Sequence, residues 1–383
     1  MSFVNLIATI NKISPLKLER FLLSRGWVED GFISDKAKIW HRQEEENFDL
    51  EIIQPLDCHL RDYSQRMYEV VKALSEFEVK ELADILDDVV NFDSDIVKVR
   101  VMSPDVDSGS IPLSDGVLLF EKAKDLLVST TLSTFKKNRY FSGSWPADVK
   151  DFLETLKLGQ TEYGSYIVNV IAPIVISSED KKGGRSSITR EVSNNLARSL
   201  VATATAVTKY EEFEDLIVFE EAINNGVSAN LCDALIGISG SKGHRDIEIS
   251  LQLAGVEDNS QEIIKKHYFL SRHISVLKTA SEYYKGNYTI EKYSVRGLVI
   301  RMDHTPSEEY GVIRVASLVN GLLKNISMQL DLNDYWLAIR AHESNELVKC
   351  LGDLVVTSRS ANLIEPKGFE VIEDQDLFDE SSE

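Results

Sequence analysis

Residues 312–330 read VIRVASLVNGLLKNISMQL, and this stretch decides the fold of the C-terminal part of the chain. Asn320-Gly321 separates two runs rich in Val, Ile and Leu. Both turn residues tolerate the positive φ of a type I′ turn, so Val312–Val319 and Leu322–Leu330 are expected to form a hairpin. Working outward, Val295–Met302 reads as a strand before it. Asn333–His342 reads as a short helix, and Glu346–Val356 and Phe369–Ile372 as further strands. Three strands, a helix and then more strands is the wiring of a small SH3-like or OB-like β-barrel. The expected barrel domain is 288–373, followed by an acidic tail at 374–383 in which no basic residue occurs.

Upstream of the barrel the pattern mixes helices and strands. Pro15–Arg25 reads as a helix stopped by Gly26. Lys36–Arg42 and Asp49–Gln54 read as a hairpin. Met67, Val70, Val71, Leu74 and Phe77, continued by Leu82, Ile85, Leu86 and Val89, predict one long helix over 64–90. Val97, Val99 and Val101 alternate with Lys98 and Arg100, as a half-buried strand does. Asp115–Phe135 is helical, and Gly164–Ile174 is a strand expected to be buried on both faces. Helices are expected at Thr189–Lys209, Glu211–Asn225, Ala229–Ile238 and Glu262–Tyr284, with a strand through Ile247, Ile249 and Leu251. The fold class is therefore α+β: a mixed sheet with several helices, then the barrel. The boundaries read as an N-terminal domain at 1–150 and a helix-rich region at 151–287, possible as a continuation of the first.

The 383 residues suggest two or three domains. At 43% hydrophobic and 27% charged residues, the composition is that of an ordinary globular chain. Three scattered cysteines and no CxxC pair argue against a disulfide framework or a structural zinc site and for a reducing, cytoplasmic setting. No apolar run of about 18 residues is present, so no membrane contact is expected. A formal net charge of −20 disfavours whole-surface binding of nucleic acid.

No GxxxxGK[ST], GxGxxG after a strand, HExxH, GxSxG or kinase set occurs. Gly237-Ile-Ser-Gly-Ser-Lys-Gly243 resembles a P-loop only superficially, because its spacing is wrong. Four weaker constellations remain. Gln160, Thr161 and Glu162 stand at the mouth of the 164–174 strand, where a ligand or a polarised water could sit; the plainer reading is a capping turn. Asp246 and Glu248 are two residues apart on one strand face and could hold Mg²⁺. Nucleases built this way usually carry a lysine two positions after the second acid, where this chain has Ser250, so a solvated outer face is the preferred reading. Lys181, Lys182 and Arg185 flank Gly183-Gly184 ahead of a helix, as a phosphate site would require, or as an ordinary loop would allow. Tyr310, Arg314, Lys324, Tyr335, Trp336, Arg340 and His342 could offer aromatics and cations on the barrel, although Tyr335 and Trp336 suit a helix that plugs it. Cys58 and His59 are adjacent, which does not by itself make a nucleophile and its base. No cofactor and no metal site is expected from these patterns.

The stretch Leu158-Gly159-Gln160-Thr161-Glu162-Tyr163-Gly164-Ser165-Tyr166 and the run Ala341-His342 … Gly352-Asp353-Leu354 … Phe369 resemble bacterial proteins encoded near phage-defence systems. The resemblance implies a bacterial component of a multi-gene system and carries no catalytic residues with it. The leading expectation is a non-catalytic interaction or sensing component with a protein partner. One alternative is a nucleic-acid-processing enzyme using Glu162, Asp246 and Glu248. Others are nucleic-acid binding through the barrel, or mimicry of DNA by the acidic helix carrying Glu76, Glu78, Glu81, Asp84, Asp87 and Asp88.

Overall fold

The computed structural model describes residues 3–11, 13–43, 49–106, 109–159, 166–174, 187–254, 263–305, 307–319 and 321–372. It is α+β and falls into two compact units that interleave along the sequence. The first is Met1–Lys136, Gly143–Ala204 and Gly237–Arg272; the second is Lys137–Ser142, Thr205–Ile236 and His273–Glu383.

The first unit opens with α1 (Phe3–Ile10), α2 (Pro15–Ser24) and a three-stranded antiparallel meander, β1 (Val28–Ile33), β2 (Ala37–Gln43) and β3 (Asp49–Pro55). Ser14 caps α2 by accepting from the Lys17 amide, and Pro15 supplies a preset φ in the first turn. The hairpin read from the sequence is β2–β3, with Ile39 opposite Ile53. Trp40 is fully buried, and its indole N–H donates to Gln54 Oε1 at 2.7 Å. The expected long helix is two, α3 (Tyr63–Glu78) and α4 (Leu82–Val90). Val79 takes a left-handed conformation, φ 53°, and the Lys80 amide donates back to the Ser75 carbonyl, ending α3. Because α3 and α4 bury Met67, Val71, Leu74, Ile85 and Leu86 in one core, the apolar spacing continues across the break. Burial of each such side chain stabilises the fold by roughly 1.5–3 kcal/mol.

The same unit holds a five-stranded sheet. It comprises β4 (Ser94–Met102), β5 (Lys157–Leu158), β6 (Tyr166–Pro173), β7 (Asp246–Leu253) and β8 (Ile263–Phe269), in the order β5-β6-β4-β7-β8 with antiparallel neighbours. On β6, Val168, Val170 and Ala172 are buried while Ile167, Asn169 and Ile171 are half-buried. Its two faces are therefore unequal, unlike the expected double burial. Helices α5 (Leu113–Phe135), α6 (Ala147–Thr155) and α7 (Ile188–Phe213, whose residues from Thr205 on belong to the second unit) follow. Residue 150, expected at a domain boundary, lies inside α6. The helix expected from Glu262 begins only at Ile274, because Ile263–Phe269 pairs with β7 instead, Phe269 opposite Ile247. The β-branched and aromatic residues of that segment favour the ladder. Likewise Glu211–Phe213 ends α7, and the helix expected at 211–225 is the short α8 (Val218–Ile223).

In the second unit, α9 (Ala229–Ile238, of which the last two residues belong to the first unit) precedes α10 (Ile274–Tyr284). Phe219 stacks with Tyr210 and meets Tyr283 and Tyr284 edge-on or tilted. Five strands then close on themselves: β9 (Tyr288–Asp303), β10 (Tyr310–Val319), β11 (Leu322–Asp331), β12 (Leu347–Val356) and β13 (Ala361–Ile372), in the order β10-β11-β13-β12-β9. Helix α11 (Leu332–Ser344) lies between β11 and β12, capped by Asp331 accepting from the Asp334 amide. It buries Tyr335, Ala338 and Ala341 in a core with Ile313, Val315, Ile326, Met328 and Leu354.

Candidate functional site

The ends of β4, β6 and β7 meet at one edge of the five-stranded sheet, where Val101 is flanked by Tyr166 and Ile247. Asp246 and Glu248 project from the same face of β7 there, as their spacing requires. Neither acid faces open solvent as the preferred reading held. Asp246 Oδ1 accepts the Ser271 amide at 2.6 Å, capping the turn after β8. Glu248 is only 7% exposed. Arg100, directly opposite it on β4, approaches to 3.6 Å, and Lys266 on β8 to the same distance. Cations from two neighbouring strands thus neutralise a carboxylate that desolvation would otherwise penalise. The described residues do not bring Asp246 and Glu248 into a group of three metal-ligating side chains. Gln160, Thr161, Glu162, Lys181, Lys182 and Arg185 lie outside the described residues.

The sequence reading missed the dominant charge cluster at this edge. Arg245, almost fully buried, donates through Nε and Nη2 to Asp105 at 3.1 and 2.6 Å and through Nη2 to Asp115 at 2.8 Å. Asp115 Oδ1 also accepts the Ser241 amide at 3.1 Å. Gly240, at φ +90°, passes so close to the Arg245 guanidinium that a side chain there would overlap it. The Arg245 guanidinium holds the Asp105 carboxyl well below the usual carboxylate range and lowers that of Asp115 against the opposing effect of burial. This cluster ties the loop after β4, the start of α5 and the turn before β7 to one another. One guanidinium meets two carboxylates, so a net negative charge remains, but the guanidinium's hydrogen bonds to them are spent within the cluster, which is the work of a structural pin. A lone arginine beside the more conspicuous Asp246 gave no sequence signal for it.

The acids proposed as a DNA-like helix face are split between α3 and α4. Glu78 and Asp88 meet Arg25 and Lys80 within 2.9–3.8 Å, so part of the face is neutralised from within the chain.

On the barrel, β10 alternates strictly, with Tyr310, Arg314 and Leu318 outside and Ile313, Val315 and Val319 inside. Its outer neighbours on β11 are Ser327 opposite Arg314, Asn325 opposite Ala316 and Leu323 opposite Leu318. Leu318 and Leu323 are 65% and 71% exposed, and Leu298 and Ile300 on β9 are also exposed. Of the residues singled out in the sequence, Tyr335 is buried and plugs the barrel, whereas Trp336 is 60% exposed on α11. His342 Nδ1 lies 2.6 Å from the Val299 carbonyl, and Lys324 is partly buried. Arg314 and Arg340 are exposed, on β10 and α11 respectively. A sequence signal for the apolar patch did exist. Leu318-Val319 and Leu322-Leu323 are apolar at every position around the turn, so one of the two faces must present leucine outward.

Compared with known proteins, the chain matches no family model, no curated protein and no solved structure.

Proposed function

We propose that the chain is a non-catalytic interaction component whose C-terminal barrel, OB-like in wiring, docks a protein partner on the outer face of β9, β10 and β11. The OB-like reading rests on strand order. Numbered within the barrel, the order is 1-2-3-5-4 returning to 1, the third and fifth strands run parallel, and the helix sits between the third and fourth. OB barrels characteristically bind on the face of their second and third strands, here β10 and β11.

The observation that carries the choice of partner is the facing pair Leu318 and Leu323, extended by Leu298 and Ile300. Contiguous exposed aliphatic side chains beside hydrogen-bonding groups (Arg314, Asn325, Ser327) are the composition of a protein-docking surface. Single-stranded nucleic acid instead needs successive aromatic platforms in a cationic groove. This face has one exposed aromatic, Tyr310, and it stands opposite the carboxylate of Asp331. The barrel segment 288–372 carries nine basic against eleven acidic residues, so it lacks a basic excess. The bacterial, cytoplasmic, multi-protein setting is part of the same proposal and draws on the resemblance to proteins encoded beside defence systems.

The test is tagged purification of the full chain from its host cells, alongside the L318D/L323D double variant. A stoichiometric protein captured by the wild type and lost by the folded variant supports the proposal. Capture of DNA or RNA whose retention falls steeply with salt, or capture of the protein undiminished by the variant, overturns it.

A further inference from the structure

The turn between β3 and α3 brings together three donors of different chemistry: the Asp57 carboxylate, the Cys58 thiol and the His59 imidazole. One ligand atom from each lies within 4.8 Å of the other two, and all three residues are exposed. We infer that Asp57, Cys58 and His59 form a surface binding site for a zinc-like divalent transition ion.

Three arguments support it. The first is donor type: a thiolate, an imidazole and a carboxylate are the three side-chain ligands that zinc accepts, at about 2.0–2.3 Å. The second is preorganisation of the backbone. Leu56 N–H donates to the Lys36 carbonyl at 2.9 Å, Leu60 N–H to the Asp57 carbonyl at 3.3 Å and Tyr63 N–H to the Leu60 carbonyl at 3.1 Å. The turn is thus tied to the meander on one side and to α3 on the other. The Tyr63 hydroxyl, itself buried, donates to the Ile13 carbonyl at 2.7 Å and anchors that second end. The third is availability. Asp57 Oδ1 accepts the His59 amide at 2.9 Å, which orients the carboxylate while Oδ2 remains for a metal. The Cys58 and His59 side chains are exposed, which leaves them room to turn toward the oriented carboxylate. Three protein ligands leave a fourth position to water, as in open zinc sites. Binding displaces the thiol proton to solvent.

The probe is Co²⁺, added to the full reduced chain and followed by thiolate-to-metal charge-transfer absorption, with Zn²⁺ as competitor. Cys58 is exposed whereas Cys232 and Cys350 are buried, so the band reports on one sulfur. A one-to-one band that Zn²⁺ abolishes is expected in the wild type. Cys58→Ser should remove it, and His59→Ala and Asp57→Asn should each weaken Zn²⁺ competition by at least about tenfold, the scale on which even outer-shell changes act. Circular dichroism of each variant checks that the fold is retained. No band, a band that survives Cys58→Ser, or a band indifferent to both His59→Ala and Asp57→Asn overturns the site.

Discussion

The ring of Tyr335 lies against the backbone of Gly311, so closely that a Cβ at Gly311 would overlap the ring carbons Cγ, Cδ2 and Cε2. The contact joins α11 to β10 inside the closed ring of strands, and it is what lets the helix seat in the barrel. Gly311→Ala must push the ring out or distort β10. Overpacking of this kind costs about 1–3 kcal/mol. Chemical denaturation should show that loss, and Tyr335→Leu combined with Gly311→Ala should be less damaging than the sum of the two single changes. Strict additivity would show that the ring and the glycine are not coupled.

Val79 makes the opposite prediction. It ends α3 with φ 53°, and it is 91% exposed, so it gains nothing from packing. A left-handed conformation costs a β-branched residue about 1–2 kcal/mol, and glycine would escape that cost while losing roughly 0.5–1 kcal/mol of unfolded-state entropy. Val79→Gly should therefore raise stability by up to ~1.5 kcal/mol. A lower midpoint on thermal or urea unfolding would contradict this.

The same residue marks where sequence patterning stops being informative. The apolar spacing from Met67 to Val89 reports which face is buried, and α3 and α4 share that face, so a change of direction at Val79 leaves the period intact. Ile263–Phe269 shows the converse. Its residues suit a strand, yet Asn259 with Glu262 three residues on reads in the sequence as the cap of a helix, and only pairing with β7 decides it. The barrel was legible because its signals are local: alternation, a turn dipeptide and a helix of fixed length. The Arg245 cluster was not, because Asp105 and Asp115 are 140 and 130 residues from Arg245 along the chain. No local pattern encodes an ion pair of that span. The exposed leucines lie between these cases, since two apolar faces around one turn can be read before the fold is known.

His41 offers a pH-dependent measurement. Its Nδ1 lies 2.8 Å from Asp30 and its Nε2 3.2 Å from Glu51, so both ring nitrogens must carry protons to serve both carboxylates. The hydrogen bond to Glu51, with the charge of Asp30 beside it, raises the imidazole above its ordinary value. The folded pKa exceeds the unfolded one, so the stabilisation is fully present below the unfolded value of about 6.5 and is lost as pH rises through the folded value. An NMR titration should give His41 a midpoint above an ordinary histidine, and Glu51→Gln should bring it down. An unchanged midpoint in Glu51→Gln would remove that carboxylate as the cause.

Arg245 reverses the sign of such an argument within one cluster. In the wild type the guanidinium depresses the Asp105 and Asp115 carboxyls. Their contribution is therefore present above the unfolded carboxylate value of about 3.9 and is lost as pH falls through the folded values, so the intact cluster favours resistance to acid. Arg245→Met keeps much of the volume but leaves the buried Asp115 carboxylate without its cation. Breaking a buried pair on one side costs about 3–5 kcal/mol, discounted here because Asp105 is 37% exposed and water will screen it. Desolvation, a larger influence than either of the Ser241 hydrogen bonds that remain, then pushes the Asp115 carboxyl upward, so that it takes up a proton more readily than in the wild type. Lowering the pH from neutral toward the unfolded carboxylate value should consequently recover part of the variant's lost stability, while the wild type gains nothing from this cluster over that range. Urea midpoints for both proteins at several pH values between about 4 and 7 separate the two slopes. Parallel pH profiles would mean that the Asp115 carboxylate finds other donors once the guanidinium is gone, and that Arg245 pins the loop by shape rather than by charge.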